Sequence, residues 1–269
     1  AFPSGTDLNQ LSFKEDEKRF FHLVENLNIT TVYPLVLFIY RNVSDKQIRC
    51  EMLKLLESYL VRRNVCRFTT KNYNQIFIQM VNKLRVCIES GNALTTKTLS
   101  GVIRSYDKDT NKMPSDNDLE IAFKNSKLSN QNAREILFVL ALKQASGGLS
   151  DVNSLSLGNY SVEHMMPVKW RTNWMDFEMN ELEMAERDRT LKLLGNLTLV
   201  TGRLNSKMQN HSWADKKPIL RDHSSLPMTV KYIDLGCWDE AAIEKRGKDL
   251  MQLAMEVWPY FTGEAETDV

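Results

Sequence analysis

Between Ser12 and Gly148 the chain repeats one kind of signal, a capping residue followed by an apolar stripe at helical spacing and then a stop. Ser12 with Glu15 makes a capping-box pattern ahead of a face carrying Phe13, Phe20, Val24 and Leu27. Thr31 opens a short, very apolar helix through Val36 and Ile39, with Pro34 tolerated in its first turn. Ser44 with Gln47 repeats the box, and Ile48, Met52, Leu55, Tyr59 and Leu60 then mark one face of a long helix ending near Arg63. Further helices are expected over 71–90, closed by Gly91, over 116–126 after Pro114-Ser115, and over 130–146, stopped by Gly147-Gly148. No sequence period relates these segments, so they form a bundle and not a solenoid.

The texture changes after Gly148. SLSLGNYSVEHMMP alternates like a short strand and ends at Pro167, and GNLTLV, residues 195–200, is a second strand rich in Leu, Thr and Val. A helix is expected to follow from about Arg203 through Asn205 and Met208 toward His211. Residues 175–193 are acidic and helical in character, and DEAAIEKRGKDLMQLAMEVW makes a last amphipathic helix capped at Asp239. The expectation is a mainly α protein, with a helical bundle over 1–150 followed by an α+β domain over 151–269.

Charge and cysteine usage narrow the function classes. The 269 residues carry 35 Lys and Arg against 34 Asp and Glu, a net +1, so nucleic-acid binding requires a local basic face. No stretch of about eighteen apolar residues occurs, and AFPSGTDLNQ lacks the regions of a signal peptide. Cys50, Cys66, Cys87 and Cys237 form no CxxC pair and lie far from any histidine in sequence, which argues against a zinc knuckle. The absence of a signal and the helical setting of the first three favour buried thiols over two disulfides, in a reducing, cytoplasmic setting.

Four histidines are present, and they differ in setting. His22 lies mid-helix beside Phe20 and Phe21 and reads as a packed residue. His223, in RDHSSLP, reads as an exposed loop residue. His164 ends a strand, follows Glu163 and is trailed by Met165, Met166 and Pro167. A neutral imidazole fixed at a strand end can take a proton from water, and an adjacent carboxylate can hold a divalent metal. An EH pair at a strand end also occurs by accident, so spacing alone leaves both readings open. Reading LGNLTLVTGRLNSKMQNHSWADKK with it adds Asn196 at the opening of the second strand and Asn205 near the start of the following helix.

Glu163, His164, Asn196 and Asn205 on strand, strand and helix resemble the ββα-metal, or His-Me finger, motif of the HNH endonucleases. VEHMMP, a tryptophan shortly after it (Trp170 or Trp174), LGNLTLV, LNSKMQN and ADKK together are similar to the C-terminal nuclease domain of the GmrSD-type modification-dependent restriction enzymes, whose relatives include phosphorothioate-sensing antiphage nucleases. YLVRRNVCRFTTKNYNQIF, MPSDNDLEIAF and the closing helix with Arg246 and Trp258 extend the resemblance over most of the chain. It implies His164 as general base, Asn196 as the residue steadying the hairpin, Asn205 as a metal ligand and Glu163, where HNH enzymes often have Asp, as a second. It also implies one Mg²⁺ or Mn²⁺ per site, DNA as substrate, nicking or double-strand cleavage of foreign DNA in bacterial defence, and possible homo-oligomers. Full-length members usually carry an N-terminal ParB-like nucleotide-hydrolysing sensor. Nothing here resembles it and no GxxxxGK[ST] loop is present, so the chain reads as the C-terminal portion of a longer protein.

A phosphate-binding face is expected from Arg203, Lys207, Lys216, Lys217 and Arg221, offset by Asp215 and Asp222. Arg62 and Arg63 are candidates to extend it, although pairing with carboxylates of their own half is the usual fate of such residues. His211, six residues beyond Asn205, fits poorly as a further ligand on a straight helix. The tryptophans Trp170, Trp174 and Trp213 are expected to pack, with base stacking as the rival role. A DNA-binding module whose nuclease is dormant without its sensor is the competing function. Zinc deaminases and proteases are set aside because neither H-x-E with PCxxC nor HExxH occurs.

Overall fold

Side-chain caps set where the helices begin. The computed structural model describes residues 10–147, 154–175, 178–223 and 226–261. Seven helices come first: α1 Asp16–Asn26, α2 Tyr33–Asn42, α3 Lys46–Val65, α4 Tyr73–Glu89, α5 Thr96–Arg104, α6 Asp116–Asn125 and α7 Asn130–Ser146. Ser115 and Asp118 cap α6 reciprocally, and Ser129 caps α7. Two starts differ from expectation. Asp45, and not Ser44, caps α3 by accepting from the amides of Gln47 and Ile48. Helix α1 begins at Asp16, because Glu15 reaches back to the Ser12 amide while the Ser12 side chain caps nothing. The unanticipated α5 uses a Thr95–Thr98 box, in which threonine replaces the usual Glu or Gln.

The second half continues with β1 Tyr160–His164, α8 Glu181–Thr190, β2 Leu197–Thr201, α9 Gly202–Met208, α10 Trp213–His223, α11 Pro227–Val230 and α12 Glu240–Val257. Both strands are shorter than the alternating segments that announced them. Leu157–Asn159 and Leu194–Asn196 are 3-10 turns leading into the strands. Helices α10 and α11 were not expected: α10 carries Pro218 inside it, and α11 is one turn long. The strands pair antiparallel with Tyr160 opposite Thr201, Val162 opposite Leu199 and His164 opposite Leu197. The molecule is thus mainly helical, with one two-stranded sheet among the described residues.

Two apolar clusters hold these elements. The larger gathers Phe20, Phe21, Leu56, Tyr59, Phe77 and Phe138 from the first helices, but also Leu155, Leu197, Leu199, Leu250, Ala254 and Trp258. It therefore crosses position 150, where the change is one of secondary structure and not of packing; the boundary itself falls outside the described residues. The smaller cluster joins Met165, Met166, Trp170, Val200, Leu204, Trp213, Trp238 and Ile243. Helix α12 contributes Ala242 and Ile243 to the smaller cluster and Leu250, Ala254 and Trp258 to the larger. Its approach to the turn before β2 requires glycine: a Cβ on Gly195 would lie 2.2 Å from the Ile243 carbonyl oxygen.

All four cysteines are free. The preference for thiols over disulfides holds, but burial is partial: Cys50, Cys66 and Cys87 are half-buried and Cys237 is exposed. No helix among the described residues is long and apolar enough to cross a membrane.

Candidate active site

The site is built at the end of β1. Residues opposite one another in an antiparallel pair share a face, so Ser161 and Glu163 lie with Val200 and Thr198, and Val162 and His164 lie with Leu199 and Leu197. The first face carries α9 to α11. Val200 packs with Leu204 and Trp213, and Thr198 Oγ1 meets Thr229 Oγ1 at 2.5 Å. The second face packs on the larger cluster through Val162, Leu197 and Leu199.

Asn196 fastens the strands. It is fully buried, and its Nδ2 donates to the carbonyls of Met166 and Leu191, both at 2.8 Å. Its Oδ1 accepts from the Met166 amide at 2.8 Å and from Trp238 Nε1 at 2.9 Å. The Met165 amide adds a bond to the Asn196 carbonyl. The backbone leaving His164 is therefore held from the start of β2, and every side-chain donor and acceptor position of Asn196 that matters to burial is matched.

His164 is half-buried, and no hydrogen bond engages its ring among the described residues. Burial, with the ammonium groups of Lys216 and Lys127 nearby, pushes its pKa down to about 4. The imidazole is neutral at neutral pH and has a free lone pair.

Asn205 sits in α9, which starts directly from β2 because Thr201 Oγ1 accepts from the Leu204 amide. Its Nδ2 donates to Ser161 Oγ at 3.1 Å and to the Val162 carbonyl at 3.4 Å. Those bonds orient the carboxamide and leave Oδ1 with no hydrogen bond among the described residues. Helix α9 stops at Met208, and Gln209 turns with φ +35°. His211 is thus not on that helix at all, and its backbone carbonyl accepts from Trp174 Nε1.

Glu163 has a partner that the sequence reading did not give it. Lys216 Nζ donates to Glu163 Oε1 at 2.6 Å and to the His164 carbonyl at 2.8 Å. Burial drives the Glu163 carboxyl up and the Lys216 ammonium down, and the ion pair opposes both. Lys216 is 0% exposed, so it is not a phosphate contact.

The expected basic face shrinks accordingly. Arg203 and Lys207 are exposed on α9. Lys217 is half-buried with Nζ on the Leu235 carbonyl, and Arg221 pairs with Asp234 at 2.5 Å. Arg62 and Arg63 are fully buried and are corrected from DNA contacts to internal staples. Arg62 bonds the carbonyls of Pro114 and Trp258 and the Asp116 carboxylate. Arg63 bonds the carbonyls of Thr69, Thr110 and Lys112 between the rings of Tyr59, Phe68 and Tyr73. Guanidinium donors matched to loop carbonyls tolerate burial that an unpaired charge does not.

Other residues fall as packing predicts. His22 is buried, with Nε2 at 2.7 Å from Glu135. Trp170 and Trp213 are buried and Trp174 is half-buried, each bonding through its indole N–H. The His223 side chain lies outside the described set. Lys127, whose charge bears on His164, was missed because it belongs to the α6–α7 connection with no local motif.

Among the described residues no group of three His, Cys, Asp or Glu side chains gathers around a common point. The unused oxygen donor on α9 is of the kind a hard cation takes. Asn205 presents an oriented, unused carboxamide oxygen, and Mg²⁺ and Mn²⁺ commonly complete their coordination with waters and substrate phosphates.

Two strands and a helix thus carry an unengaged imidazole at the end of β1 and, on α9, an asparagine oriented by bonds to Ser161 and Val162. The sequence model of the GmrSD restriction endonucleases, C-terminal domain, matches residues 113–253. That match covers more than half of the chain, which therefore belongs to this restriction endonuclease family. No curated protein matches it.

Proposed function

We propose that the chain is a metal-dependent DNA endonuclease of a bacterial restriction or defence system, with β1, β2 and α9 acting as a ββα-metal unit of HNH type. The observation that carries this reading is the neutral, unengaged His164 ring at the end of β1, with the Asn205 carboxamide of α9 held against the same strand at Ser161 and Val162. His164 takes a proton from water, whose oxygen then attacks the phosphodiester phosphorus in line with the leaving 3′ oxygen. Asn196 holds the backbone on either side of the strand ends, so the ring does not drift during the step. Asn205 is the residue that would hold Mg²⁺ or Mn²⁺ together with DNA phosphates. When bound, that ion supplies neutralisation of charge on the phosphate and at the leaving oxygen. Arg203 and Lys207 supply phosphate contacts next to the site without reading sequence. An N-terminal nucleotide-hydrolysing sensor, a homo-oligomer and a preference for modified DNA belong to the same proposal.

The test is supercoiled plasmid cleavage with Mg²⁺ or Mn²⁺, with and without chelator, by this chain and by His164→Ala. Metal-dependent conversion to open-circular DNA that vanishes in the variant supports the reading. Binding in a gel shift with no cleavage by either protein favours the DNA-binding module dormant without its sensor. Asn205→Ala is expected to raise the metal requirement about tenfold or more; an unchanged metal titration removes it from the ligand set.

A further inference from the structure

Lys216 carries its charge to a place without access to water. A buried ammonium is costly unless paired and hydrogen-bonded. Both of its partners belong to the last two residues of β1, the carboxylate of Glu163 and the carbonyl of His164. Helix α10 delivers it there because Trp213 and Leu220, on either side of Lys216 in sequence, are anchored in the smaller cluster.

Stability alone does not call for such a pair, since well-packed apolar residues of similar volume often do as well or better. What a lysine adds is direction. Its bond to the His164 carbonyl fixes the peptide after the ring, while Asn196 fixes the next two residues from the other side. Its bond to Glu163 Oε1 commits to an internal cation one oxygen of the carboxylate adjacent to the proposed base.

We propose that Lys216 is a positioning residue, which sets His164 through its carbonyl and withdraws Glu163 from the metal's ligand set. Cation binding then falls to Asn205 and the DNA phosphates. The inference rests on His164 being the base, and its test has a readout that does not depend on cleavage.

The variants are His164→Gln, Glu163→Gln, Asn205→Ala and the double substitution Glu163→Gln with Lys216→Met, which keeps the volume and removes both charges. The ring resonances of His164 are assigned by their loss in His164→Gln and followed by ¹H–¹³C correlation spectra. In a double variant that keeps its melting temperature, those resonances are expected to move. Single-turnover nicking with Mn²⁺ should then fall about 10- to 100-fold, with half-saturation by DNA within about threefold. Mn²⁺ affinity, read from the free-ion EPR signal with a short duplex in a His164→Gln background, should change less than about threefold on adding Glu163→Gln and fall about tenfold or more on adding Asn205→Ala.

A folded double variant with wild-type ring resonances and a wild-type rate overturns the positioning role. An affinity loss from Glu163→Gln as large as that from Asn205→Ala overturns the withdrawal of Glu163. Equal nicking by wild type and His164→Gln refutes the base assignment, while the ring resonances still decide whether Lys216 sets His164.

Discussion

Gly195 and Gly247 face each other across the contact between the turn before β2 and helix α12, and substitutions at the two should have opposite signs. A Cβ at Gly195 would lie 2.2 Å from the Ile243 carbonyl oxygen and 3.0 Å from the Gly247 amide nitrogen. Carbon and oxygen in contact stay roughly 3.3 Å or more apart, so about 1 Å must be made up by moving backbone. Neither side yields easily. Ile243 is locked in the smaller cluster, Leu250 and Trp258 in the larger, and the adjacent Asn196 is bonded on all sides. Overpacking of this kind costs about 3 kcal/mol, which lowers the melting temperature of a chain this size by about 5–6 °C. At Gly247 a Cβ would meet only the Gly195 Cα at 3.8 Å, an ordinary contact. Alanine there removes a mid-helix glycine from α12 and should stabilise by up to about 1 kcal/mol. Thermal unfolding followed by circular dichroism distinguishes them. Gly195→Ala melting within about 2 °C of the parent, or Gly247→Ala falling as far as Gly195→Ala, refutes the close approach of α12 to the turn.

Three further outcomes follow from the buried charges and the remaining basic face. Arg62→Ala strands the Pro114 and Trp258 carbonyls, so it should destabilise by about 2–4 kcal/mol in urea unfolding while the folded protein keeps its DNA affinity. Arg203→Ala with Lys207→Ala should leave the melting temperature alone and reduce the slope of log affinity against log salt by about 2; an unchanged slope removes α9 from the DNA contact. His164 provides the pH dependence. Its folded pKa, about 4, lies below its unfolded value of about 6.5, so the unfolded state binds more protons between them. Its contribution is complete above the unfolded value and is lost as pH falls from about 6.5 toward 4, by at most about 3 kcal/mol. In His164→Gln that slope should be absent, and an identical pH-stability curve counts against the burial of the ring.

The helices were legible where caps are local. The Pro114-Ser115 signal and Asp239 are each read from a few residues, and the structure uses Ser115 and Asp239 as caps. Helices α10 and α11 were not legible, because α10 has an internal proline and α11 lacks the length for an apolar stripe. The same limit applies at the site. The order strand, strand, helix and the places of His164, Asn196 and Asn205 lie within contiguous motifs. The partner of Glu163 does not: Lys216 is 53 residues away, in a run of charge that resembles a solvated face until α10 turns it inward. Arg62 and Arg63 were misplaced for the same reason. Their acceptors are backbone carbonyls from 46 to 196 residues distant as well as local ones, and no side-chain pattern announces a carbonyl.

Helix α12 closes both apolar clusters although it follows every other described element in the chain. During synthesis the helices before it emerge first, and until α12 follows, the larger cluster lacks Leu250, Ala254 and Trp258 and the smaller lacks Ala242 and Ile243. The carbonyls of Leu194, Gly195 and Leu197 wait for the Arg246 guanidinium over the same interval. A chain terminated before α12 therefore lacks the groups that hold the turn before β2. A chain that stops before α12 is thus expected to carry the residues of the proposed site without the framework that holds them.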